Sequence, residues 1–235
     1  MSTILVTGGS RGLGRETARQ LIAAGHTVYI GVREPEKGRQ VAEELGAKFV
    51  QLDVTDDASV AAAAKAIEAD GGLDVLVNNA GIEPRGEGGA FIPAADVDAA
   101  LALRVFDTNV FGQIRMIHAF LPLLQQSSAP VIVNVGSGTS LMRELVDPEN
   151  PAHFYPDVTY PASKAAVSML TVQYAKAFPD IRINVVDPGF TATELNFHAG
   201  HQTVEEGAEI IVRMAQIGPD GPTGLFFDRF KTIPW

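Results

Sequence analysis

Tyr160 and Lys164 stand four residues apart in the run Tyr-Pro-Ala-Ser-Lys, which leads into a stretch from Pro161 to Phe178 of helical composition. Side chains four apart share a helix face and can touch. A phenol is a poor acid–base near neutrality, because its ordinary pKa is ~10. A cation ~4 Å away at an effective dielectric of ~20 contributes about 4 kcal/mol, which matches the energy needed to lower that pKa by about three units. A tyrosine tuned in this way could hand a proton to the alkoxide formed when a carbonyl takes up hydride. Taken alone, the pair also fits an ordinary surface contact, so this chemistry requires a hydride source elsewhere in the chain.

The first apolar run, Ile4-Leu5-Val6, leads into Thr7-Gly8-Gly9-Ser10-Arg11-Gly12-Leu13-Gly14, and a helical stretch from Arg11 to Ala24 follows. Glycines at 8, 12 and 14 let the backbone turn tightly and approach a pyrophosphate, with free N–H groups and positive potential at the helix start behind them. The GxxxGxG spacing differs from the GxGxxG of larger dehydrogenases, and glycines alone could serve turn geometry. A strand before and a helix after favour a dinucleotide, and nicotinamide carriers supply hydride. The second strand ends Gly31-Val32-Arg33. A carboxylate at that point marks NAD, and an arginine marks NADP. The chain has 18 basic and 28 acidic residues, a net charge of −10. Two arginines, Arg11 and Arg33, converging in so acidic a chain predict a local phosphate site and NADPH/NADP as the cofactor. Glu34, next in the chain, could accept from a ribose hydroxyl instead, which keeps NADH as the second choice.

The elements that must hold these residues follow from the alternation of apolar runs and helical patterns. Strands are predicted at Ile4–Val6, Val28–Val32, Phe49–Leu52, Val75–Val77, Val131–Val135, Ile181–Val186 and Gly224–Phe227. Helices are predicted over Arg11–Ala24, Glu36–Leu45, Asp57–Ala69, a long stretch from Ala94 to Gln126 with a break near Asn109, Pro161–Phe178 and Val204–Gln216. Strand–helix units with short connections make a parallel sheet covered on both faces, and the strands read as continuous apolar runs for the same reason. The whole of 1–235 reads as one domain.

In chain order, Thr7–Gly14, Asp53, Asn78-Asn79-Ala80-Gly81, Asn109, Ser137, Tyr160-Pro161-Ala162-Ser163-Lys164 and Pro188-Gly189 resemble the motifs of the short-chain dehydrogenase/reductase family over nearly the whole chain. The resemblance implies a single-domain α/β Rossmann fold with a doubly wound, seven-stranded parallel sheet. It implies that Gly8, Ser10, Arg11, Gly12, Leu13 and Gly14 hold the cofactor phosphates, and that Asp53 and the backbone of Val54 meet the adenine. Asn79 and Gly81, with Ala80 between them, would line the adenosine ribose. Thr191 and Thr193, after Pro188-Gly189, would meet the carboxamide and phosphates. Asn109, Ser137, Tyr160 and Lys164 would form the catalytic set, with Tyr160 and Lys164 also touching the cofactor. Ser137 would donate to the substrate oxygen, and Asn109 would hold a kink and a relay water.

One departure from the pattern is the 23-residue step from Ser137 to Tyr160, about twice the usual spacing. The added segment, 141–158, looks like that of the carbonyl-reductase subgroup. Its prolines 148, 151 and 156 oppose a long helix, and Phe154 and Tyr155 are expected on one wall of the substrate pocket. Ser140 lies three residues too far along to replace Ser137. The stretch 190–203 has little periodicity and is expected to be a loosely packed loop closing over the site, with Leu195 and Phe197 its apolar contacts.

The expected function is NADPH-dependent, reversible reduction of a ketone or aldehyde. A β-ketoacyl or polyketide ketoreductase is the alternative, and a dinucleotide-sensing binding protein is the non-enzymatic one. The chain has no cysteine, and its five histidines show no zinc spacing, so no metal site is expected. A net charge of −10 offers nucleic acid and anionic lipid no general attraction, and no apolar stretch nears the ~20 residues of a membrane span. With no leader pattern at its start, the chain is expected to be cytoplasmic. Its partner is expected to be a small carbonyl or alcohol, and its assembly, left open, leans to a homodimer.

Overall fold

A computed structural model describes every residue from Met1 to Trp235. The strands are β1 (Thr3–Thr7), β2 (Thr27–Val32), β3 (Lys48–Gln51), β4 (Val75–Asn78), β5 (Val131–Val135), β6 (Arg182–Val186), β7 (Phe226–Phe227) and β8 (Thr232–Ile233). They form one sheet in the order β3-β2-β1-β4-β5-β6-β7-β8. The fold class is the expected α/β Rossmann arrangement, with a correction to the strand count. Seven strands are parallel, and an eighth, β8, returns antiparallel to β7 through Phe226–Ile233 and Phe227–Thr232. Two residues beside Pro234 offer no periodicity to read, so this strand is invisible in the sequence.

The helices are α1 (Gly12–Ala23), α2 (Pro35–Leu45), α3 (Asp57–Ala69), α4 (Ala99–Phe106), α5 (Gly112–Leu124), α6 (Met142–Leu145), α7 (Thr159–Ala177) and α8 (Val204–Ala215). None is long and apolar enough to cross a membrane. Two cores flank the sheet. Leu5, Leu76 and Ile132 face one layer with Val60, Ile117 and Phe120, while Ile4, Val6, Val77 and Val133 face the other with Leu21, Ile210 and Ile211. Successive strand residues point to opposite faces, so burying both faces demands unbroken apolar runs. The order of connections reverses between β1 and β4, which opens a crevice at their C-terminal ends.

The stretch expected as one helix from Ala94 to Gln126 is divided differently. A short 3-10 turn at Ala94–Asp96 precedes α4, and α4 passes into α5 through a π-type turn at Asp107–Phe111. The helix widens at Asn109 instead of breaking there. Gly112 lets α5 lie against β3's exit, since a Cβ there would sit 3.0 Å from Val54 Cγ2. In the added segment, the prolines do confine helix to α6 and a 3-10 turn at Pro151–Phe154.

Phe120 is wholly buried among these contacts. Phe120→Ala should lower stability by about 3–5 kcal/mol in urea unfolding, whereas Met142→Ala, at an exposed position, should stay within about 0.5 kcal/mol of the parent.

Candidate active site

The glycine turn fits a dinucleotide by shape. Gly8 and Gly12 have φ of 66° and 49°, the left-handed region that other residues avoid. A Cβ on Gly14 would lie 2.5 Å from both the Gly8 carbonyl oxygen and Asn79 Nδ2. Thr7 stitches the turn to the end of β4: its hydroxyl accepts from the amides of Asn79 and Ala80, each at 2.9 Å, and its carbonyl accepts from Asn79 Nδ2 at 2.8 Å. No side chain caps α1, so its first N–H groups remain for a ligand.

A groove of about 330 Å³ runs from this turn. Gly8, Ser10, Arg11, Gly12, Leu13, Gly14, Arg33, Asp53, Val54, Asn79, Ala80 and Gly81 all line it, and it reaches Tyr160, Lys164, Pro188 and Thr193. Arg11 and Arg33 are joined there by Lys37, which the sequence reading missed. The available signal was Pro35 at the first position of α2, which puts Lys37 in that helix's first turn, beside the end of β2. None of the three cations is in an ion pair. Glu34 lines the same end of the groove. Asp53 is partly buried, which raises its pKa, but the amide and hydroxyl of Thr55, helped by Arg33 and Arg115, win and hold the carboxyl below its ordinary value.

Asp157 starts α7 by accepting from the amides of Thr159 and Tyr160, at 2.7 and 2.9 Å, which places Tyr160 on the first turn. Lys164 is buried one turn on, and its Nζ donates to the Val135 carbonyl at 2.8 Å. It lies 5.5 Å from the centre of the Tyr160 ring. Burial lowers the Lys164 pKa to about 8, against the pull of Asp187 and Glu83. Burial also pushes the Tyr160 phenol up, reinforced by Glu83 and opposed by the hydroxyl of Ser137. Lys164 gives its hydrogen bond to a carbonyl, and burial is the largest influence on the phenol.

Ser137 ends β5 on the wall that also carries Tyr160, and its Oγ accepts from the Thr139 amide at 3.3 Å. Ser140 is turned away, its hydroxyl 3.3 Å from that of Ser168. Asn109 is fully buried. Its Oδ1 accepts from the Ile82 amide at 2.8 Å, and its Nδ2 donates to the Ile82 carbonyl at 2.9 Å and to Ser163 Oγ at 3.0 Å.

Beyond Tyr160 opens a second cavity of about 800 Å³, lined by Ser137, Phe154, Tyr155, Phe190, Leu195 and Phe197 among others. The loop 190–203, expected to be loosely packed, buries only Thr191 and Thr193 and leaves Phe190 and Phe197 exposed. Its neck is closed by Ala192 N to the Gln202 carbonyl at 2.8 Å, and by the Asn196 side chain bonded to Thr193 N and the Thr191 carbonyl. Phe197 and His198 hold φ of 55° and 59°, a conformation that costs energy in non-glycine residues and persists only when the surroundings enforce it. Thr193 and Leu195 wall both cavities. Gly189 and Thr191 border the second cavity only, and Thr191 Oγ1 donates to the Pro188 carbonyl at 3.1 Å. Four acidic residues at the site were not anticipated: Glu194 beside Gly12, and Glu83, Glu144 and Asp187 in the second cavity. Nothing in their spacing marks them, because the fold alone brings them together.

Such a crevice, with a glycine turn at one end and a half-buried tyrosine beside a buried lysine at the other, defines a nucleotide-dependent oxidoreductase of the Rossmann type. Residues 2–203 match the short chain dehydrogenase family, and the chain belongs to that family. It is 36% identical to short-chain dehydrogenase/reductase 1 of Saponaria officinalis, covering 98% of this chain and 95% of that one. It is 33% identical to a (+)-neomenthol dehydrogenase of Capsicum annuum, over 96% and 95% of the two chains. That alignment spans 298 positions, more than the 235 residues here, so the pepper protein carries segments this chain lacks. Among solved structures, salutaridine reductase from Papaver somniferum superposes with a TM-score of 0.82 at 29% identity, covering 97% of this chain and 99% of that one.

The buried lysine makes a prediction about stability. Its folded pKa of about 8 lies below the ~10.4 of a free lysine, so the folded chain binds fewer protons between those values and stability rises with pH there. Between pH 8 and 10 the parent should gain roughly 2 kcal/mol relative to Lys164→Met in urea unfolding. Parallel pH profiles for the two proteins would contradict the depressed lysine.

Proposed function

We propose that the chain reduces a ketone or aldehyde to an alcohol with NADPH, reversibly. The observation that carries this reading is one continuous path from three unpaired cations, along the glycine turn, to Tyr160 and Lys164 at the mouth of a largely apolar cavity. Arg33 and Lys37, with Arg11, would hold the 2′-phosphate. Asp53 and Val54 would take the adenine, and Asn79, Ala80 and Gly81 the ribose. Pro188 and Thr193 would flank the nicotinamide end, with Gly189 and Thr191 shaping the turn behind them. Bound there, the reduced nicotinamide supplies a hydride to the carbonyl carbon.

The chain supplies the rest. Ser137 donates to the substrate oxygen and stabilises the charge that grows on it. Tyr160 passes its phenolic proton to that oxygen. A high phenol pKa keeps the proton in place until the alkoxide, a stronger base, draws it off. Lys164, with a pKa of about 8, is largely an ammonium at neutral pH and stabilises the phenolate left behind. Asn109 keeps α7 and the Gly81 turn in register without touching the reactants.

The test is a panel of ketones, aldehydes and ketoacyl thioesters, followed by loss of NADPH absorbance. Preference for thioesters would favour the ketoreductase alternative, and binding without any turnover would favour a dinucleotide sensor. Arg33→Asp should shift the kcat/KM preference from NADPH toward NADH by about tenfold or more, the scale of one charge-assisted hydrogen bond. Equal efficiency of the parent with both cofactors would remove the phosphate-site assignment. Tyr160→Phe should lower kcat by about 10²–10⁴-fold while NADPH affinity, read by fluorescence titration, stays nearly unchanged.

A further inference from the structure

The cavity beyond Tyr160 holds a polar group that proton transfer does not use. Glu83 and Arg85, on the loop after β4, form an ion pair whose side chains are only 5% and 10% exposed. Tyr155, from the added segment, donates its hydroxyl to the same Glu83 oxygen. The guanidinium of Arg85 lies 3.5 Å from the centre of the Phe91 ring, and Phe91 meets Tyr155 edge-on at 5.1 Å. The pair is thus clamped from three sides and faces the cavity.

It is not satisfied. Arg85 engages Glu83 through one terminal nitrogen, its other terminal nitrogen keeps accessible surface and makes no hydrogen bond, and its Nε is sealed off with no partner. A guanidinium donor left unmade is costly, and the free terminal nitrogen, on a side chain that lines the cavity, is the one a ligand there can reach. The wall around it is aromatic and apolar, with Phe91, Phe154, Tyr155, Phe190 and Phe197. Three carboxylates, Glu83, Glu144 and Asp187, line the cavity against this single arginine, so a second anion is disfavoured. The occupant that fits is neutral, bulky and apolar, with one oxygen able to accept from Arg85. The Tyr155 and Tyr160 rings are 6.5 Å apart. Tyr155, which bonds Glu83, thus links the anchor to the reacting centre across one cavity that all four residues line.

We propose that Glu83 and Arg85 form a specificity anchor for a second, uncharged oxygen, so that the preferred substrates are ring ketones bearing a hydroxyl or carbonyl at the end remote from the reacting group. This rests on the carbonyl-reductase reading and names the substrate class of the same cavity.

The experiment compares 1-tetralone with its 6-hydroxy and 6-carboxy analogues as substrates of the full chain with NADPH. The parent should favour the 6-hydroxy compound by about tenfold or more in kcat/KM, the scale of one hydrogen bond to a charged group. It should not favour the 6-carboxy compound. Arg85→Met should abolish the preference. Glu83→Gln combined with Arg85→Met should do the same while leaving no unpaired charge buried, which covers misfolding of the single variant. Calorimetric binding of 6-hydroxy-1-tetralol to the NADP-loaded protein should weaken in parallel with the loss of preference. Reduction of all three ketones without preference overturns the anchor alone, as does preference for the carboxylate or a hydroxyl preference that survives in both variants. Reduction of none of them, nor of any ketone in the wider panel, overturns the carbonyl-reductase reading and the anchor with it.

Discussion

Three hydrogen bonds from one buried carboxamide hold the site together. Asn109 grips both backbone groups of Ile82 and the hydroxyl of Ser163, so it ties the loop after β4 to α7. The π-type turn around it is the local adjustment that aims this side chain inward. Gly81 completes the fit: a Cβ there would lie 3.3 Å from Asn109 Oδ1 and 3.7 Å from Lys164 Nζ. Removing the carboxamide would take the partner from both backbone groups of the partly buried Ile82, each worth about 1–3 kcal/mol where water cannot replace it, while Ser163 keeps its bond to the Tyr160 carbonyl. The groove floor and the acid–base helix are thus positioned by the same residue.

Charge is arranged in opposition around that hub. The chain as a whole is acidic, yet the far end of the groove gathers Arg11, Arg33 and Lys37 without carboxylate partners in ion pairs. Near the reacting centre the sign reverses. Glu83, Asp157 and Asp187 all raise the Tyr160 phenol, and the first two groups that raise Lys164 against its burial are Asp187 and Glu83. Asp187 is itself held in place by the amides of Gly189 and Gly138, joining the two loops that border the substrate cavity. The negative surroundings oppose the effect of burial on the lysine and add to it on the tyrosine.

Local patterns in the sequence foretold what depends on local patterns. The glycine turn, the strand–helix alternation and the four-residue step from Tyr160 to Lys164 all act over a few residues, and the structure contains each. The twin cores show why the strands read as unbroken apolar runs. What stayed hidden depends on distant parts of the chain meeting. Lys37 matters because α2 begins beside the end of β2. Glu83 and Arg85 matter because Tyr155, some seventy positions later, closes over them. The upward push on Tyr160 comes first from burial and then from Glu83, Asp187 and Asp157 on three separate loops, none of which the Tyr160–Lys164 spacing reveals. The firm neck of the 190–203 loop rests on Asn196 and Gln202 returning to its own start, a contact that composition does not announce.

The sheet's two free margins bear on how the protein behaves in a crowded solution. An exposed strand edge is an invitation to further strand pairing, and proteins blunt it with brevity, charge or proline. Here one margin is β3, four residues long, with Lys48 and Gln51 exposed. The other is β8, two residues long, preceded by Lys231 and followed by Pro234, which has no N–H to offer. A long parallel sheet is slow to complete, and its partly formed states are prone to clump. The antiparallel turn-back, two residues long and closed by a proline, therefore serves as a stop at that margin of the sheet.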